Sequence, residues 1–212
     1  MHISLVILAL FSFFPLYAEP QFSIQQAFQD LRPENDLEQR IISHPEWIIG
    51  AKEGTPRPGH PEGQIIFHVL EVLGNVDTWC QEHSSSETTR QTLRIIAMIH
   101  DTFKHKVDRT KPRTGENHHA MIARRFAEEI GITDLQILSI IEHHDDAYNA
   151  YQIQAHGDAK KAHRAVKALL ATLKKKGGEL ATYNAFYWCD STTGDKDPKP
   201  YQWFQKYVSW RE

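Results

Sequence analysis

The chain is short of positive charge at its start: no lysine or arginine precedes Arg32. It has two cysteines, Cys80 and Cys189, without CxxC spacing, so no disulfide framework is implied. Those two either pair in an exported chain or stay as buried free thiols. Ten prolines and eleven glycines in 212 residues are too few for a low-complexity protein. Neither sign of charge dominates. Lys+Arg 24 against Asp+Glu 27 leaves a net −3, which removes bulk attraction to nucleic acid as the default reading. What the chain has in quantity is histidine: thirteen of them, a residue that metal sites and acid–base sites use directly.

The run from Ile3 to Phe14, broken only by two serines, is too short to span a bilayer and has the length of a signal-peptide core. Polar Glu19-Pro20-Gln21 follows Ala18. The expectation is a signal peptide over 1–18, cut after Ala18, and an exported, periplasmic or secreted domain over 19–212 with no membrane span after processing.

Beyond residue 20 the apolar periodicity is helical almost throughout, and the expected fold is an all-α single domain. Short helices are expected over 24–31 and 36–43, then a turn-rich stretch from Gly50 to Gly63 that contains Pro56, Pro58 and Pro61. Ile65, His68, Val69, Val72, Leu73 and Val76 recur at helical spacing on one inward face. Ser86 is expected to cap a helix reaching about Lys104, and Asn117 one that ends at Gly131. Thr133 and Gln136 read as a capping box opening a helix to about Tyr148. Asp158 opens a basic helix ending at Gly177-Gly178, and 179–190 reads as the last helix.

The histidines fall in order along these helices. His68 lies on a core-facing stripe, where a lone imidazole needs a partner. His100 and Asp101 end the most apolar helix. His118-His119 open one helix, His143-His144 close the next, and Asp190 sits in the last apolar stretch. Helical bundles build metal sites from such inward-facing side chains.

This series resembles the HD-domain superfamily of metal-dependent phosphohydrolases. The matching text is GHPEGQIIFHVLEVL, IIAMIHDTFK, HHAMIARRFAEEIG, IIEHHDDAYNAY and FYWCDSTTGDK, spanning about 56–195. The resemblance implies an all-α fold with a metal site in its core. The implied ligands are His68, His100, Asp101, His119, His144 and Asp190, with Asp101 bridging two ions. His118 and His143 are the second choices within their doublets, as groups supporting the ligands or holding a third metal, and Asp195 is the fallback for Asp190. His119 is preferred because Ala123, Phe126 and Ala127 follow it at +4, +7 and +8. His144 shares a stripe with Ile137, Ile140 and Ile141, whereas His143 lies about 100° round the helix.

Imidazole and carboxylate ligands without cysteine suit one or two divalent transition metals: Mn, Fe, Co, Ni or Zn. Asp101 and Lys104 are the expected catalytic residues, Lys104 facing a substrate anion. The implied reaction is hydrolysis of a phosphomonoester or phosphodiester by metal-activated hydroxide. The expected partner is a small phosphorylated substrate, nucleotide-like by preference, with no strong nucleic-acid binding. A basic loop of Lys106, Arg109, Lys111 and Arg113 lies beside the site. The basic face of 158–176 reads mainly as solvated. The alternatives are an HD-type mixed-valence di-iron oxygenase and a non-catalytic metal- or nucleotide-binding module. The oligomeric state is left open.

Overall fold

A computed structural model describes residues 23–208. Within them the chain forms eleven α-helices and two short 3₁₀ turns, with no strand, so the fold is all-α as the periodicity implied. Arg57 and His60 make a single isolated bridge in the turn-rich stretch. None of the described helices is long and apolar enough to cross a membrane. The signal-peptide reading and its cut after Ala18 lie outside the described residues.

The centre of the bundle is α4 (Ile65–Glu82), α5 (Glu87–Ile99), α7 (Leu135–His143) and α10 (Leu180–Ser191). Ile66, Val69, Val72 and Val76 of α4 are fully buried, and Leu93 to Ile99 of α5 is buried all round. Removing such side chains from water stabilises the fold by roughly 1.5–3 kcal/mol each, so these helices are the rigid floor on which the site stands. Two outer helices are pinned to α5 by polar contacts. Glu38 of α2 (Asp36–Ser43), fully buried, receives Nε and Nη2 of Arg94 at 2.9 Å each. Trp47 of α3 (Pro45–Lys52) donates its indole N–H to the carbonyl of Met98 at 2.7 Å.

Several helix boundaries differ from the sequence reading, each for a visible reason. The Ser86-capped helix stops at Ile99 and does not reach Lys104. Met98's carbonyl, which a continuing helix would offer to the Thr102 N–H, accepts instead from Trp47 and from the Thr102 hydroxyl at 2.7 Å. The backbone turns there, and Lys104–Lys106 is a 3₁₀ turn. Asn117 is not a cap. It ties the preceding loop, accepting from Asp108 N–H at 2.9 Å and donating to the carbonyls of Asp108 and Pro112 at 3.0 Å. His118 caps α6 (His119–Glu129) in its place, through Nδ1 and the Ala120 N–H.

The next helix is capped by Asp134 rather than by a Thr133–Gln136 box, and it ends at His143. Its interruption has one cause. The hydroxyl of Tyr183 donates to the His143 carbonyl at 3.0 Å and accepts from the Ala147 N–H at 3.2 Å, wedging between the two groups a helix would join. A new helix, α8 (Asp146–Ala155), starts beyond the break. The basic α9 (Ala159–Lys176) runs as expected from the Asp158 cap to Gly177, whose φ of +83° needs glycine. Two further helices also lie outside the sequence reading. Pro45, at the first position after the His44 cap, starts α3 inside what reads as a loop, and α11 (Lys199–Val208) follows the supposed last helix, burying Phe204. Before them, α1 (Ile24–Asp30) starts from its Ser23 cap. Cys80 and Cys189 are buried free thiols.

Candidate metal centre

Five helices bring imidazoles and carboxylates to one place. His68 comes from α4, and His100 and Asp101 from the end of α5. His119 is the first residue of α6, His144 follows α7, and Asp190 is near the end of α10. The six residues expected as ligands therefore meet, although they span more than half of the chain. Facing nitrogens mark two focal points. Nε2 of His68 and Nε2 of His100 are 3.3 Å apart, as are Nε2 of His119 and Nε2 of His144.

Asp101 stands between the pairs with one oxygen for each. Its Oδ2 is 3.8 Å from His68 and 3.7 Å from His100, and its Oδ1 is 3.4 Å from His119 and 3.5 Å from His144. Asp190 belongs to the first pair, at 3.1 Å from His68 and 3.8 Å from His100. Asp145 belongs to the second, at 3.2 Å from His119 and 3.5 Å from His144. Donor atoms of His68, His100 and Asp101 lie mutually close enough to share an ion, as do those of Asp101, His119 and His144 and those of His118, His119 and Asp145.

The chemistry of the donors fits a cation. His100 must donate Nδ1–H to the Ala97 carbonyl at 3.0 Å, since a carbonyl only accepts. Burial then keeps His100 neutral, its pKa pushed down to about 3, so its Nε2 lone pair faces the two carboxylates. A lone pair aimed at anions is repulsive unless a cation lies between them. His144 likewise donates Nδ1–H to the Ile141 carbonyl at 2.8 Å. Burial would lower its pKa, but Asp145 and Asp101 raise it to about 9, so a proton and a metal compete for its Nε2. Burial alone would raise Asp101 and Asp190. The Lys104 ammonium, with the hydrogen bonds of His119 and His144, holds Asp101 well below the usual carboxylate range, and Lys196 and His68 do the same for Asp190.

Behind His68 sits Glu62, nearly buried, its Oε1 3.5 Å from His68 Nδ1 and 2.9 Å from His60 Nδ1. The charge of Glu62 at that distance favours the tautomer that carries its proton on His68 Nδ1 and leaves Nε2 to face the cluster.

A family model for the HD domain matches residues 65–176, more than half of the chain. The chain belongs to the HD domain family. HD domains are for the most part metal-dependent phosphohydrolases and bind divalent metals, and the match takes in His68, the His100-Asp101 dipeptide, His119 and His144. Asp190 lies beyond the matched segment and joins the HD donors only through the packing of α10. Neither the curated proteins nor the solved structures contain a match to this chain.

Other sequence expectations land elsewhere. His143 is turned from the cluster: its Nδ1 pairs with Asp146 at 2.8 Å and its Nε2 lies 3.4 Å from Glu142. His118 stays at the rim, 3.9 Å from Asp145. Asp195 accepts from the Gly59 N–H at 2.6 Å and takes no part. Lys104 folds back, its ammonium bonded to Asp101. Asp145, Glu62 and Lys196 were missed. A signal for Asp145 existed, because the His-Asp dipeptide of 100–101 recurs at 144–145, each time after an apolar helix.

Proposed function

We propose that the protein is a metal-dependent phosphohydrolase that acts on a small phosphorylated substrate, nucleotide-like by preference. One observation carries this reading: Asp101 divides its two oxygens between two imidazole–carboxylate groups while Lys104 pairs with it at the cluster's open side. His68, His100, Asp101 and Asp190 would hold one ion, and Asp101, His119, His144 and Asp145 another. Metals so held supply Lewis acidity and a water of lowered pKa. The chain's own part is to fix the donors on buried helix ends and to present Lys104. Side chains of Asp101 and Lys104 line the cavity a substrate would enter, so a phosphoryl oxygen there meets the ammonium, which offsets the charge that builds on oxygen. Export after cleavage at Ala18 is part of the same proposal; an intact N-terminus on native protein would remove it.

Elemental analysis of purified protein, followed by phosphate-release assays with Mn, Fe, Co, Ni and Zn in turn, tests the function. Bound metal with phosphate release supports it. Iron with oxygen uptake and no phosphate release would replace it by the oxygenase reading, and ligand binding without turnover by the non-catalytic module. Lys104→Ala should keep its metal and lose about 10²-fold in kcat.

A further inference from the structure

Two cavities open on the cluster and share three wall residues, His60, Asp101 and Lys104. The larger, about 460 Å³, lies against α8, α10 and α11. Tyr148, Tyr151, Tyr187 and Gln152 line it. That volume is in the range of small-molecule sites, and three phenol rings with one amide suit a flat ring that offers polar edges. Tyr148 is 45% exposed, a large ring held at the opening without packing into the core.

The smaller cavity, about 170 Å³, lies between the 53–63 stretch and the turn at 104–109, and Arg57, His105 and Arg109 line it beside Lys104. It is too small for a ring system with its sugar but large enough for one compact anion. Most arginines near the helices are already committed: Arg90 to Glu34, Arg94 to Glu38, Arg124 to Glu142 and Arg125 to Glu116. In the basic loop Lys106 is paired with Glu46 and Lys111 with Asp108. Among the described residues, Arg57 and Arg109 have no carboxylate in ion-pair reach. Of the carboxylates in the same wall, Asp101 is held by Lys104 and Glu62 by His60, and Glu53 is exposed. Two free guanidinium forks fit the oxygens of a phosphate.

We infer that the smaller cavity is a subsite for a second phosphoryl group and the larger for a nucleoside, so that the substrate is a nucleoside diphosphate. This rests on the phosphohydrolase reading and sharpens it. The nucleoside stands among the tyrosines, its proximal phosphorus at the cluster, and the distal phosphate between Arg57 and Arg109. Water adds to the proximal phosphorus, and the bond from that phosphorus to the bridging oxygen breaks, its electron pair going to the departing phosphate. The water oxygen stays in the nucleoside monophosphate. One of its protons ends on the departing phosphate and the other is released. The two arginines offset the charge of that leaving group.

Calorimetry on the manganese-loaded full chain tests the subsite without turnover. Pyrophosphate should bind at least about 10-fold more tightly than phosphate, and the Arg57→Ala/Arg109→Ala double variant should lose about 10²-fold for pyrophosphate only. Both side chains are exposed, so the variant is expected to fold. With adenosine diphosphate in ¹⁸O-water, the label should appear in the monophosphate. Label in the released phosphate would overturn the placement. Arginine-dependent pyrophosphate binding in a protein that hydrolyses nothing would uphold the subsite and overturn the hydrolase reading. Turnover of monophosphates and diphosphates alike, indifferent to the arginines, would do the reverse.

Discussion

In the group that Asp190 completes, His68 reaches the cluster from within a helix, whereas in the other group His119, His144 and Asp145 all stand at helix ends. The first group is also the drier one, with His68 and His100 almost fully buried, while the side chains of His119 and Asp145 are 13% and 32% exposed. Their protons differ as well. His100 is kept neutral by burial, while Asp145 and Asp101 hold a proton on His144. The first group is pre-shaped to receive a cation. The second must give up a proton to do so, and only Asp101 belongs to both.

Asp101→Ala is the largest test of that comparison. Removing the shared carboxylate should lower metal content in both groups and reduce activity by about 10³-fold or more. If one full equivalent of metal and substantial turnover survive, the groups are independent and Asp101 is no bridge. A purely structural His-Asp pair would instead cost stability while metal content never rose above background.

Acidity separates the groups next. The folded pKa of His144 is raised to about 9 from an ordinary 6.5, so its stabilisation is fully present below about pH 6.5. It is lost as pH rises through about 9 and amounts to about 3 kcal/mol. His100 has the opposite sign. Its depressed pKa penalises the fold only as pH falls below about 6.5 towards 3. Chelator-treated protein should therefore lose urea resistance between pH 6.5 and 9.5, and manganese should bind more tightly across the same interval. Urea resistance that rises over that interval would show that His144 carries no proton.

How much of this was legible in the sequence follows the same division. Burial of a helix face leaves a period, so the all-α fold, the stripe of His68 and the ordered series from His100 to Asp190 could all be read. Helix ends are set by tertiary partners that leave no period. Met98's carbonyl is taken by Trp47 from fifty-one residues away, and the break after His143 is made by Tyr183, forty residues on. Each of those contacts decides where a helix stops, and hence where Asp101 and Asp145 point. Asp145 read as one more polar residue in a continuous helix because nothing local announces the break.

Glu62 sharpens the difference on the side of the first group. His100 and His144 rest on backbone carbonyls, but His68 has a carboxylate behind it. Glu62→Ala should weaken metal binding about 10- to 100-fold in chelator competition, acting on the first group and sparing the second. Glu62→Gln, which keeps an acceptor oxygen without the charge, should fall between. Equal losses in both groups would mean that Glu62 supports the loop and not the imidazole.

The smallest effect is expected within the doublet at the start of α6. His119 faces Asp101 and Asp145 at 3.4 and 3.2 Å, whereas His118 accepts the Ala120 N–H through Nδ1 and lies 3.9 Å from Asp145. Burial and the neighbouring His119 lower the pKa of His118, so it is a neutral cap at physiological pH. His118→Ala should then cost about 1 kcal/mol of stability, the ordinary value of a lost cap, with metal content unchanged. His119→Ala should empty the second group and leave the first filled. A His118→Ala variant that loses as much metal as His119→Ala would make both histidines ligands, and His118, His119 and Asp145 would then form a further site beside the second group.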